Sequence, residues 1–113
     1  MHALIIEDDP FSELLLRSLL EGVGFRSFEG ASTQTQAVVS FRARRPHLIT
    51  ADVRLAQGTG YGAVDEIVRA FGPIPTIFVT GNADLLSGRS DPIFRKPISE
   101  ELFCSTVSGL FAH

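Results

Sequence analysis

The stretch that decides the fold is Ala3-Leu4-Ile5-Ile6-Glu7-Asp8-Asp9-Pro10. An unbroken apolar run, without the alternation of a half-exposed strand, fits a strand covered on both faces, and such strands belong to parallel sheets flanked by helices. The run is expected to form a strand from Ala3 to Glu7. Asp9 can then cap a helix whose first position is Pro10. Capping needs only Asp9, so Glu7 and Asp8 are left at the strand end without a structural task.

Working outward, the same strand-then-helix grammar repeats. Leu14, Leu15, Leu19 and Val23 keep helical spacing until Gly22 and Gly24 end the segment, and Phe25 to Phe28 reads as a short strand. Ser32 opens a helix carrying Ala37, Val38 and Phe41 to a stop at Pro46. His47 to Ala51 is the next strand and delivers Asp52 at its end. The Gly58, Gly60, Gly62 series reads as turn chemistry, and the helix through Val64, Ile67, Val68 and Phe71 stops at Gly72-Pro73. Pro75 to Val79 is the fourth strand, followed by Thr80-Gly81-Asn82. From Ala83 to Asp91 there is room for about two helical turns, so a fourth helix is shortened or missing. Ile93 to Arg95 makes the last strand, Lys96-Pro97 breaks it, and Ser99 opens a closing helix with Glu100 and Glu101 near its positive end. Strands alternating with helices predict one α/β domain over residues 1–113, built on a doubly wound parallel sheet.

Composition narrows the function. The 113 residues carry 13 acids and 10 bases, for a formal charge of −3. A chain of this length folds to a radius of gyration of roughly 13 Å and buries about two-thirds of its unfolded surface, so no staple is required. The lone Cys104 has no disulfide partner and reads as a small buried hydrophobe. No apolar run reaches the roughly 18 residues of a membrane span, and acids interrupt the N-terminal run too early for a signal peptide. A cytoplasmic location is expected. The densest basic cluster, Arg42, Arg44 and Arg45, fits a helix C-terminus, and the acidic balance argues against direct nucleic-acid binding. His2, His47 and His113 lack metal-ligand spacing. Among the bases one count is odd: nine are arginine, and Lys96 is the only lysine.

The remaining polar residues share one kind of location. Glu7 and Asp8 follow the first strand, Asp52 the third, Thr80 the fourth and Lys96 the fifth. Open parallel sheets bind ligands beyond the carboxyl ends of their strands, so these side chains converge on one pocket. Carboxylates about 5 Å apart repel by roughly 3 kcal/mol per pair at an effective dielectric near 20. Such a cluster requires a cation or must take up protons. Oxygen ligands select Mg²⁺ or a similar hard ion, and Lys96 adds a fixed positive charge. A carboxylate, a divalent ion, an ammonium and a small hydroxyl are the parts phosphoryl transfer needs. In that chemistry Asp52 is the nucleophile, and Thr80 and Lys96 each hold a phosphoryl oxygen. Arg54 and Asn82 flank the pocket two positions beyond Asp52 and Thr80.

These residues resemble the receiver domain of two-component response regulators. The matching pieces are Leu4 to Pro10, Pro46 to Leu55, Thr80-Gly81 and Lys96-Pro97-Ile98, in order along the whole chain. The resemblance implies a flavodoxin-like five-stranded sheet in the order 2-1-3-4-5, phosphorylated on Asp52 by the phosphohistidine of a histidine kinase or histidine phosphotransfer protein. It implies that Asp8 and Asp52 bind Mg²⁺, that Glu7 acts through water, and that Arg54 contributes its backbone carbonyl. The domain would catalyse its own phosphorylation and dephosphorylation, without small-molecule turnover, and signal by contact with a downstream protein that the sequence does not identify. A phosphorylation-dependent homodimer stays open.

Three departures from the family pattern matter. Ala56 stands where the family usually has proline, so the loop after Asp52 follows the family pattern less closely. Ile93 replaces the aromatic residue of the usual rotamer switch. The connection from Thr80 to Lys96 is short. Together with Phe78-Val79-Thr80-Gly81, this is similar to a stand-alone receiver subgroup of bacterial stress phosphorelays. Two other classes compete: a pseudo-receiver that keeps the fold without the chemistry, and a metal-dependent phosphohydrolase. The second is disfavoured because the position two residues after Asp52, where such enzymes often want another acid, is Arg54.

Overall fold

A computed structural model describes residues 1–112. Its strands are β1 (His2–Ile6), β2 (Ser27–Ala31), β3 (Leu48–Ala51), β4 (Thr76–Thr80) and β5 (Ile93–Arg95), and its helices are α1 (Pro10–Gly22), α2 (Gln34–Ala43), α3 (Gly60–Phe71) and α4 (Glu100–Leu110). All strand pairs are parallel, in the order β2-β1-β3-β4-β5. The order reverses direction at β1, which puts the crevice of the doubly wound fold between β1 and β3. The Cα radius of gyration is 12.6 Å.

The period of a strand divides β1 between two cores. Leu4 and Ile6 face the layer of α2 and α3, where they join Ala37, Phe41, Val64 and Ile67. Ala3 and Ile5 face α1 and α4, where they join Leu16, Leu20, Phe103 and Val107. Every residue of β1, β3 and β4 is buried, as an apolar run covered on both faces requires.

The structure shifts several expected boundaries. β1 ends at Ile6, leaving Glu7 just beyond it. The short strand expected over Phe25 to Phe28 lies instead at Ser27–Ala31, because Phe25 packs into the α1/α4 core with its amide bonded to the Leu20 carbonyl at the end of α1. The cap of α2 is Thr33 rather than Ser32: its hydroxyl accepts from the Gln36 amide, while the Gln36 side chain bonds back to Ser32. In α1, Leu16 and Leu20 are the buried residues, whereas Leu14 is 66% exposed. The Asp9 cap, accepting from the Phe11 amide, sets the phase of the helix and so decides which of its many leucines face inward.

Between β4 and β5 a single 3-10 turn, Ala83–Leu86, replaces a fourth crossover helix, as its length implied. Arg89 secures this connection: its guanidinium pairs with Asp65 of α3 and with Asp91, and lies 5.0 Å from the Phe78 ring centroid. Ile93 packs against the α2/α3 core, and Phe94 meets Phe103 edge-on at 5.6 Å. No helix among the described residues is long and apolar enough to cross a membrane.

Candidate functional site

Sheet hydrogen bonding places the acids. The Glu7 amide bonds to Ala31 O and the Asp52 amide to Ile6 O, both at 2.9 Å, so the ends of β1 and β3 lie side by side. One carboxylate oxygen from each of Glu7, Asp8 and Asp52 lies within 4.8 Å of the others. Glu7 is buried, Asp52 half-buried and Asp8 exposed, so the cluster opens to solvent on one side.

Each carboxylate is held differently. Glu7 Oε2 accepts from the amides of Asp8 (3.1 Å) and Asp9 (3.2 Å), and Oε1 accepts from Lys96 Nζ at 2.7 Å. Asp52 Oδ1 accepts from the Val53 amide at 2.6 Å, and Oδ2 from Lys96 Nζ at 2.9 Å. Lys96 reaches both because its amide bonds to Thr80 O at 3.0 Å as β5 ends beside β4. The Lys96-Pro97 peptide is cis. Burial pushes the Glu7 carboxyl above its ordinary range, helped by the Asp52 charge and opposed by the Lys96 hydrogen bond. Burial lowers the Lys96 ammonium, but hydrogen bonds and charge from Glu7 and Asp52 outweigh it and hold the lysine above its ordinary range.

Thr80 is fully buried at the end of β4, and its Oγ1 accepts from the Asn82 amide at 3.0 Å. The acceptor side of the hydroxyl is thereby engaged, and its proton is free to donate. Arg54 lies in the loop between β3 and α3 and bridges back to Thr59, while Gly60 N donates to Val53 O at 2.8 Å. Among the described residues no hydrogen bond goes to the Arg54 carbonyl, which leaves it available as a ligand. A donor set of carboxylates and a backbone carbonyl is hard oxygen throughout and fits Mg²⁺.

Gly60 is a site residue that reading the glycines as turn chemistry missed. A Cβ there would overlap the Asp52 carbonyl oxygen, so the chain passes under Asp52 only because position 60 has no side chain. Its place eight residues after Asp52 carried no signal of its own among neighbouring glycines. The histidines do not join the site. The His2 amide donates to His47 Nδ1 (2.9 Å) at the opposite end of the sheet, and His113 lies outside the described residues.

The profile of the response regulator receiver domain matches residues 3–107. The chain belongs to this family. A phyllosphere-induced regulator, PhyR of Methylorubrum extorquens, is 39% identical over 95 residues, which cover 80% of this chain and 35% of that protein. The receiver thus spans about a third of that relative's length. The receiver domain of Erythrobacter litoralis PhyR superposes with a TM-score of 0.85 at 33% identity, covering 99% of this chain and 92% of that one. The receiver domain of a Pseudomonas aeruginosa sensor histidine kinase, which has a magnesium ion coordinated in its active-site cleft, superposes with a TM-score of 0.82 at 26% identity, covering 96% and 94%.

Proposed function

We propose that this receiver accepts a phosphoryl group onto Asp52 from the phosphohistidine of a histidine kinase or histidine phosphotransfer protein, and signals by protein contact. The observation that carries the proposal is the single ammonium of Lys96 shared between Glu7 and Asp52 beside a third carboxylate, Asp8. A site with this charge pattern is built to be neutralised further by a cation and to receive an anionic group. In the transfer, an Asp52 oxygen forms the new O–P bond as the N–P bond of the donor breaks. The imidazole keeps the bonding electron pair and takes its proton from solvent.

Asp8, Asp52 and the Arg54 carbonyl would hold Mg²⁺, with Glu7 acting through water. When bound, the ion neutralises charge on the phosphoryl oxygens. Lys96 supplies a compact positive charge for one of these oxygens, and the Thr80 hydroxyl donates to another. The Val53 amide holds the carboxylate plane while this happens.

The neighbouring surface supports a protein donor. Phe11, Leu14 and Leu15 on α1 are exposed next to a groove of about 300 Å³ formed by Leu15, Lys96, Pro97 and Ile98. Apolar area beside the site would be covered by a partner that presents its imidazole to Asp52. Residues 1–113 would act as one receiver unit in the cytoplasm, where the unpaired Cys104 stays reduced.

Intact mass after incubation with Mg²⁺ and phosphoramidate tests the reading. One added phosphoryl group, absent in Asp52→Asn, is expected. Failure of the unmodified chain to gain mass with any small phosphodonor refutes the proposal in favour of a pseudo-receiver.

A further inference from the structure

In the loop between β3 and α3, Ala56 stands where the family usually has proline. The Ala56 amide, which proline would lack, donates to Ser32 O at 3.1 Å, and the Gln34 amide donates to Gln57 O at 3.0 Å. Thr33 and Gln57 thereby form an isolated parallel bridge. Loop 53–59 is laced to the start of α2, a segment that contributes no group to the site.

The Gln34 side chain completes the lacing. Its Oε1 accepts from the Thr59 amide at 3.2 Å and its Nε2 donates to Glu66 Oε1 on α3 at 3.4 Å. Two glycines make room for it. A Cβ on Gly58, which has φ of 78°, would come within 2.6 Å of Gln34, and one on Gly62 within 2.8 Å of its Oε1. The base of the clamp is itself braced, because the Gln36 amide donates to the Thr33 hydroxyl while the Gln36 Oε1 accepts from the Ser32 amide and hydroxyl.

Thr59, whose amide Gln34 holds, is also the bridge partner of Arg54 and the cap of α3. We propose that Gln34 is a positioning residue for the phosphorylation site: through Thr59 it fixes the Arg54 backbone carbonyl beside Asp52, in register to ligate the divalent ion. This rests on the function proposed above. A loop held at three points presents its carbonyl without first having to be ordered, and that preorganisation appears as ion affinity.

Isothermal titration with Mg²⁺, paired with thermal unfolding in EDTA, tests the proposal. Gln34→Met keeps the length and loses both hydrogen bonds. It is expected to weaken Mg²⁺ binding about three- to tenfold, the range of one net hydrogen bond. The double variant Gln34→Glu with Glu66→Gln exchanges donor and acceptor across the α2–α3 contact and keeps an acceptor for the Thr59 amide, so affinity returns towards that of the unmodified chain. Unchanged affinity in Gln34→Met, with or without a lower melting temperature, shows a merely structural role and overturns the inference while leaving the proposed function standing. No Mg²⁺ binding by the unmodified chain overturns both.

Discussion

Replacing Lys96 by methionine keeps the length of the side chain and removes the ammonium that bonds to Glu7 at 2.7 Å and to Asp52 at 2.9 Å. The Glu7 side chain is only 1% exposed, so the variant leaves a buried carboxylate facing two others. Breaking a buried pair from one side destabilises by about 3–5 kcal/mol. A second route gives a bound. Glu7 can escape its unpaired charge by taking a proton, and keeping a glutamic acid of ordinary pKa about 4.3 neutral at pH 7 costs about 3.7 kcal/mol. The two figures agree, and for a domain of this size they correspond to a fall in Tm of about 10–20 °C. The sign of the pH dependence follows. A carboxyl whose pKa is raised in the folded state binds more protons folded than unfolded, so its penalty grows as pH rises above the unfolded value and vanishes below it. Lys96→Met therefore melts well below the unmodified chain at pH 7 and approaches it near pH 5, and millimolar Mg²⁺ narrows the gap at pH 7 because the ion restores positive charge to the folded state alone. Circular dichroism melts at both pH values, with EDTA or Mg²⁺, measure all of this. Equal melting temperatures at pH 7, or a deficit that does not change with pH, would refute the electrostatic account of the site.

Two further outcomes follow from groups away from the site. Thr50 Oγ1 is buried in β3 without a hydrogen-bond partner, so Thr50→Val, which conserves shape and deletes the orphaned hydroxyl, should raise stability by about 1 kcal/mol or about 4 °C in Tm; a lower melting temperature would mean the hydroxyl is satisfied. His2 is held below its ordinary pKa first by burial and then by the Arg44 charge. The fold therefore prefers neutral His2, and stability is full above about pH 6.5 and declines as pH falls through the lowered value. Urea midpoints at pH 7.5 and 5.5 should differ more in the unmodified chain than in His2→Gln, and an equal or larger difference in the variant would contradict this assignment.

What could be read from the sequence depended on whether a residue's environment is set by its neighbours in the chain. The acids at the ends of β1 and β3 were legible because each terminates an apolar run, and strand order then fixes where such ends meet. β2 was not. Its residues, Ser27-Phe28-Glu29-Gly30-Ala31, form an edge strand with Glu29 and Gly30 exposed, and they carry weaker apolar signal than Phe25, which is buried outside any strand. The pairing of Ala56 with Ser32 was invisible for a different reason. Those residues lie in separate loops, and backbone bonds between loops leave no periodic trace. An alanine in place of the family's usual proline frees an amide, and only the structure shows that the amide has a partner.

Several arginines have structural tasks that differ from that of the single lysine. Arg45 donates to Phe71 O and Pro73 O at the end of α3 and lies 5.3 Å from the Phe41 ring centroid; Arg17 lies 5.3 Å from Phe28; and Arg89 combines two acids with the face of Phe78. Each task uses a flat, many-donor cation that can stack and bond at once. At position 96 the demands reverse. The cation touches two carboxylates through one nitrogen, and in the proposed function it then turns to a phosphoryl oxygen without holding a fixed plane. Lys96→Arg would substitute a fork that favours a single carboxylate bidentately, and the shared bond between Glu7 and Asp52 would be lost although the charge is conserved.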